Sequence, residues 1–224
     1  MEQTAYLDNP VWHGLRTNHA QVAEQDNGIM RYRSDVAPFY AVREEGARVG
    51  PDDPLREGEQ PYFIGTLPQM PVFWRVLRRA VILQMVHAGA AEEDGAVPIV
   101  TLGDADLEQM LALTALVYPL YFRRGTPLLG RYVGVKQDGR LVAMAGERLH
   151  PGTCQEISGI CTHPDYTGRG YARGLTAQLV RGIAARGETP FLHVDAGNAR
   201  AHALYEKLGF VGRRELALGQ VGTA

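Results

Sequence analysis

Ile157-Ser158-Gly159-Ile160-Cys161-Thr162, then His163-Pro164-Asp165-Tyr166, then Thr167-Gly168-Arg169-Gly170-Tyr171-Ala172 follow one another without a gap. The first run is apolar and strand-like. The second is a turn. The third is a glycine-rich loop that passes straight into an amphipathic helix. That helix carries Ala172, Leu175, Thr176, Leu179, Val180, Ile183 and Ala184 at helical spacing, so one stripe faces a core. The first N–H groups of a helix lack intrahelical partners and point outward, which suits an anion. Gly170 and the small Ala172 let a ligand approach the backbone, and Arg169 and Arg173 add positive charge. A phosphate-bearing ligand is the chemistry this stretch describes.

Two common phosphate motifs do not fit. A dinucleotide fingerprint follows a first strand and has a third glycine. A Walker loop needs Gly-Lys followed by Ser or Thr, which does not occur here.

Downstream, Asn198-Ala199-Arg200-Ala201-His202-Ala203-Leu204-Tyr205-Glu206-Lys207-Leu208-Gly209-Phe210 reads as a helix capped by Gly209. Between the two helices, Phe191-Leu192-His193-Val194-Asp195 reads as a buried strand. Upstream, Asp138-Gly139 between Tyr132–Val135 and Leu141–Ala145 marks a hairpin, because both turn residues need positive φ. Val97 to Leu102 is a strand. A helix follows from Gly103-Asp104, and Pro119 ends or kinks it. Val211 to Leu218 is a last strand. The order β-α-(α)-β-β-β-α-β-α-β implies an α+β fold with a mixed sheet.

With these motifs in place, residues 98–218 resemble the GNAT superfamily of N-acetyltransferases. The first signature of that family is Arg/Gln-x-x-Gly-x-Gly/Ala, met here by Gly170 and Ala172. Thr167 departs from it, standing where Arg or Gln is usual. The second is Asn-x-x-Ala-x-x-Leu-Tyr-x-x-x-Gly-Phe, met by Asn198, Ala201, Leu204, Tyr205, Gly209 and Phe210. The resemblance implies a splayed, mixed β-sheet flanked by helices and acetyl-CoA as acyl-donor cosubstrate. It implies that Ile160, Cys161 and Thr162 offer backbone hydrogen bonds to the pantetheine arm, which enters a gap beside the strand starting at Phe191. Thr167, Gly168, Arg169, Gly170, Tyr171, Ala172 and Arg173 would hold the pyrophosphate, and Asn198 the pantetheine. Tyr205 matches a position that often acts as general acid toward the leaving thiolate.

For the general base, Glu156 starts the signature strand on the face of Ser158, and Glu147 ends the strand before it. Either faces the substrate or is a solvated strand-end carboxylate. A lysine-type amine costs roughly 4–5 kcal/mol to deprotonate at pH 7 and an α-amine about 1, so the need for a base depends on the acceptor.

Hydrophobic content of 45%, charged content of 21% and a net charge of -2 describe an ordinary globular chain with no general pull toward nucleic acid or anionic membranes. The longest apolar candidate, Val72 to Val86, is broken by Arg75, Arg78 and Arg79 and is too short to span a bilayer. With no secretory pattern at the N-terminus, a cytoplasmic location is expected. Cys154 and Cys161 lie roughly 23 Å apart on one strand at ~3.3 Å per residue, too far to pair, and read as buried thiols. The seven histidines show no metal-ligand spacing, and no metal is expected.

The N-terminal half reads less clearly. Asn9 caps a helix from Pro10 through Trp12, Leu15, His19 and Val22 to about Asp26-Asn27-Gly28. Phe39–Val42 and Tyr62–Gly65 read as strands, Gly46–Pro61 as a loop, Phe73–His87 as a helix and Gly89–Ala96 as a linker. Residues 1–95 are thus expected to form an α+β support domain, compatible with the degraded second copy seen in glycine N-acyltransferase-like proteins. Residues 96–224 are expected, from the resemblance, to form the acetyltransferase domain.

The expected function is transfer of an acetyl group to an amine of a small molecule or peptide by direct attack. The alternative is a non-catalytic acyl-CoA-binding or regulatory module. Arg123 and Arg124 suit either an anionic acceptor or simple surface exposure. A homodimer is compatible with the sequence and not required by it.

Overall fold

The structure is a computed structural model that describes residues 2–26, 28–50, 55, 58–89 and 97–224. Its frame is an eight-stranded mixed sheet and a small three-stranded one. The small sheet comprises β1 (Ala23–Asp26), β2 (Ile29–Tyr32) and β3 (Tyr40–Val42). The large sheet holds β4 (Tyr62–Ile64), β5 (Trp74–His87), β6 (Ile99–Leu102), β7 (Tyr132–Gln137), β8 (Arg140–Glu147), β9 (Cys154–Thr162), β10 (Thr189–Asp195) and β11 (Phe210–Thr223). Their spatial order is β4-β11-β5-β10-β9-β8-β7-β6. All neighbours are antiparallel except β9 and β10.

The C-terminal elements follow the expected order. α2 (Leu107–Val117) stops two residues before Pro119, and α3 (Tyr171–Ala185) follows the glycine loop. α4 (Ala199–Lys207) is capped by Asn198, whose side chain accepts from the Ala201 N–H at 3.1 Å. The hairpin between β7 and β8 turns at Asp138 and Gly139, with φ of 50° and 77°, as Asp-Gly requires.

Two N-terminal expectations, on secondary structure, are corrected. Residues Phe73–His87 are not a helix: from Trp74 they form β5, paired along its length with β11 and at its end with β10. Val76, Val81, Ile82 and Val86 favour a strand, but the deciding partners lie more than 100 residues away. The first helix, α1 (Pro10–Arg16), ends well before Asp26. Thr17 turns its hydroxyl back onto the His13 carbonyl at 2.7 Å, and residues from Ala23 gain ladder partners in β2. The division expected between residues 95 and 96 does not separate two sheets, because β4 and β5 belong to the same sheet as β6–β11 and β5 lies inside it. Residues 90–96 of the expected linker lie outside the described residues, as do 51–54, 56 and 57 of the expected loop.

The sheet buries both faces. On one, Leu175, Leu179 and Ile183 of α3 pack with Val133, Ala143, Ile157 and Leu192. On the other, the N-terminal segment lays Leu7, Val11, Leu15 and Phe39 over Ile82, Phe191, Leu216 and Leu218. α2 covers the same side further along, where Met110 and Leu113 meet Tyr132, Met144 and Cys161.

Candidate active site

The parallel pairing of β9 with β10 lasts only from Thr189↔Cys154 to Phe191↔Glu156. Beyond it the two strands part. A bulge helps to turn β9 away: Met144↔Cys161 and Gly146↔Ser158 leave two residues, Gly159 and Ile160, opposite one. Gly159 sits at φ 63°, the left-handed region that favours glycine. Burial changes at the same point, from fully buried Cys154–Ile157 to half-buried Ser158–Ile160. The β10-facing edge of β9 beyond Glu156 therefore has backbone groups without a ladder partner.

A cleft of about 380 Å³ occupies this opening. Ile160, Asp195, Asn198, Ala201 and Tyr205 line one end. Phe39, Arg78, Ile82, Tyr118, Tyr121 and Arg148 line the other, with Ser158, Gly159 and His193 between. β9 leads by the turn Pro164–Tyr166 into the exposed loop Thr167–Gly170. Gly168 and Gly170 have φ of 78° and 77°, and a Cβ at either would meet nothing within 4 Å. Their requirement is conformational. The turn they make presents the first-turn N–H groups of α3 outward. Thr167 donates its hydroxyl to the Pro164 carbonyl at 3.1 Å. Arg169 lies 4.7 Å from the centre of the Tyr166 ring, and Tyr171 turns inward, accepting from Gln137 at 3.3 Å.

Burial pushes the Tyr205 hydroxyl up to about 12, so it keeps its proton at neutral pH. Among the described residues that hydroxyl has no hydrogen-bond partner. Burial likewise raises the Cys161 thiol to about 12, which leaves it an inert core group packed beside Met110 and Tyr132.

Glu156 is fully buried and does not line the cleft. Arg148 grips it in a fork, Nε to Oε2 at 2.8 Å and Nη2 to Oε1 at 2.7 Å. The Leu149 N–H adds a bond at 3.2 Å, and His193 Nδ1 lies 2.7 Å from Oε1. Burial alone would raise this carboxyl, but the Arg148 charge and the hydrogen bonds outweigh it and hold it well below the usual range. His193 Nε2 accepts from the Gln84 amide at 3.0 Å. The amide orientation is set by Arg213, which donates to Gln84 Oε1 at 2.8 Å, and by the Leu7 carbonyl, which accepts from Nε2 at 2.9 Å. The bond received at Nε2 leaves Nδ1 to donate to Glu156, so both ring nitrogens of His193 are engaged. The Arg148 guanidinium lies 4.8 Å from the Phe39 ring and 5.8 Å from Tyr121, its side chain 10% exposed into the cleft. Glu147 is buried too, bonded to Arg186 at 3.1 Å.

The structure thus brings Ile160, Asn198 and Tyr205 to one cleft end, next to β9 and the loop it feeds, and withdraws Glu156 into the floor. Sequence reading missed Arg78, Tyr118, Tyr121, Arg148 and His193. Arg148 sits eight residues before Glu156, but no local pattern announces their pairing.

A mixed sheet that splays beside a glycine-rich helix start defines a protein of the acyltransferase class. The FR47-like protein family model matches residues 132–217, from β7 into β11. A solved structure from Novosphingobium aromaticivorans, described as belonging to the GNAT family, is 35% identical and covers 97% of this chain and 98% of its own, with a TM-score of 0.88. The chain belongs to the GNAT family of acetyltransferases. An N-acetyltransferase structure from Kribbella flavida, 16% identical with a TM-score of 0.62, shares the fold over 96% of this chain and 95% of its own. The mycothiol acetyltransferase of Kocuria rhizophila is 33% identical over 84 residues, which is 35% of this chain and 28% of that protein. The chain thus matches less than a third of that relative's length.

Among the described residues, no group of three or more His, Cys, Asp or Glu could hold a metal ion. No described helix is long and apolar enough to cross a membrane.

Proposed function

We propose that the chain is an N-acetyltransferase that moves an acetyl group from acetyl-coenzyme A to the amine of a small molecule or peptide. The observation that carries this reading is the parting of β9 from β10 after Glu156 and Phe191, directly ahead of the loop Thr167–Gly170. Acetyl-coenzyme A, when bound, supplies a thioester-activated acyl group.

The chain's own residues fit that ligand. The unpaired edge at Ile160, Cys161 and Thr162 offers backbone partners to an extended arm. Gly168 to Arg173 offers N–H groups and charge to a pyrophosphate. Asn198 uses its oxygen as a helix cap and keeps its amide NH2 for a ligand. The protonated, unpartnered Tyr205 hydroxyl can donate to a leaving sulfur. A thiol with a pKa near ~8.5 needs little help at pH 7, so the gain is modest.

A carboxylate held as tightly as Glu156 is a weak base. We assign it the positioning of Arg148 and His193, with the acceptor's proton leaving to solvent. A small hollow under the β9 bulge, lined by Phe122, Tyr132, Ser158, Gly159 and Cys161, holds about 20 Å³, room for one water or methyl group. That size supports acetyl over longer acyl groups. The N-terminal segment serves as a roof and a cleft wall, because two of its strands complete the main sheet.

Isothermal titration with acetyl-coenzyme A, followed by thiol release over an amine panel, tests the reading. Binding with turnover is expected. A lack of binding at millimolar ligand overturns it, and binding with no turnover on any amine returns the chain to a binding module. Tyr205→Phe is expected to lower kcat no more than about tenfold at pH 7, and less at higher pH, where the thiolate leaves unaided.

A further inference from the structure

Resting on the acyltransfer reading, we propose that the acceptor amine also carries a carboxylate, received by Arg78 and Arg123 at the N-terminal end of the cleft. The sheet register places Arg78 of β5 beside Gln220 of β11, and Gln220 beside Tyr62 of β4. Paired residues of adjacent strands point to the same face, so the three side chains stand in a row. Arg78 lines the cleft. Tyr62 and Gln220 line a neighbouring recess of about 410 Å³, together with Arg123. Leu120 walls both hollows, so cleft and recess adjoin at this row. The two arginines are close enough to Tyr62 to pull its hydroxyl pKa down, against the rise that burial and Tyr121 impose.

Neither cation has an ion-pair partner among the described residues. Arg123 Nη1 donates only to the Phe122 carbonyl at 3.2 Å, while its neighbour Arg124 is neutralised by Glu108 at 2.8 Å. Two unneutralised guanidiniums, Arg78 on the cleft and Arg123 on the adjoining recess, draw an anion to the row between them. Arg148, the third arginine nearby, is neutralised by Glu156.

The sign and size of the charge select the anion. At this end, Arg78 and Arg123 carry two positive charges and Glu59 on the recess wall one negative, leaving one positive, while Asp195, the other carboxylate of the cleft lining, lies at the opposite end. A monoanion fits that balance. Guanidinium forks match a planar carboxylate. The donor end differs, because there a glycine loop and a helix start serve a pyrophosphate. Phe39, Tyr118 and Tyr121 flank the acceptor end and give an apolar body a surface to lie on.

The test uses the full chain saturated with coenzyme A. N-acetylphenylalanine, N-acetylleucine and N-acetylalanine are titrated against their C-terminal amides, so that amine basicity plays no part. At least one acid is expected to bind tenfold or more tightly than its amide. Arg78→Gln removes that preference and Arg123→Gln reduces it, both with coenzyme A affinity unchanged. Equal binding of every acid and amide overturns the proposal, as does a preference that survives in the double variant. If coenzyme A itself fails to bind the wild-type chain, the acyltransfer reading falls and this proposal with it. If coenzyme A binds and the preference is missing, this proposal falls alone.

Discussion

The two ends of the cleft are built in opposite ways. The end proposed for the donor draws on residues 160–205, two strands, one loop and two helices that follow each other along the chain. The acceptor end gathers Phe39, Arg78, Tyr118, Tyr121 and Arg148, which are scattered over more than 100 residues. The end proposed for the donor offers mainly backbone: a strand edge, two glycines at positive φ and a helix start. The end proposed for the acceptor offers side chains. Backbone recognition needs a particular local conformation, and local conformation leaves motifs. Side-chain recognition needs only that the fold deliver certain groups to one place, and it leaves none.

The largest expected effect breaks the joint between the two ends. Arg148→Met strips the partner from fully buried Glu156, and an uncompensated buried charge costs about 3–5 kcal/mol. Urea denaturation should show that loss, and a change below about 1 kcal/mol would mean that the ion pair does not anchor the floor. Next comes the roof. His19 is buried between the Tyr32 hydroxyl at 2.8 Å and the Leu129 carbonyl at 3.2 Å, and burial lowers its pKa from 6.5 to about 4. Below pH 6.5 the unfolded chain takes up a proton that the native one refuses. The stability this gives is complete above pH 6.5 and fades as pH falls through 4, by about 3 kcal/mol in all. Denaturation between pH 7 and 4 should show this slope in the wild type and a flatter one in His19→Gln.

The third test separates the ends. Gly170→Val puts a β-branched residue at φ 77°, costing about 1–2 kcal/mol of strain although its Cβ meets nothing. Titration should show acetyl-coenzyme A bound at least tenfold more weakly, with acid-over-amide selectivity at the other end unchanged. The smallest effect comes from Thr167→Arg, which installs the residue usual in the family at the loop start. A gain of two- to fivefold in acetyl-coenzyme A affinity, weaker at high salt, is expected from one more exposed cation near phosphate.

The legibility of the fold follows the same division. The hairpin at Asp138-Gly139, the helix after Gly170 and the cap at Asn198 are all visible in the chain, because each is decided by residues within one or two turns. β5 is not. Its spacing of Val76, Leu77, Ala80, Val81 and Leu83 suits a helix as well as a strand, and the choice falls to β10 and β11. That misreading also hid Arg78, since a residue on a remote helix gives no reason to look for it in the cleft. Glu156 shows the reverse: its place on the signature strand was legible, but not its burial beneath Arg148 and His193.

By itself the sequence determined the elements of the proposed donor side: the glycine loop, the strand before it and the helix of Asn198 and Tyr205, all governed by short-range backbone preferences. Only the tertiary structure decided that β5 enters the sheet between β10 and β11, that Glu156 is sealed by Arg148, and that Arg78 faces the cleft beside Tyr121. Those outcomes depend on pairing and packing between residues far apart along the chain, where the gain from burial and ladder formation overrides local preference.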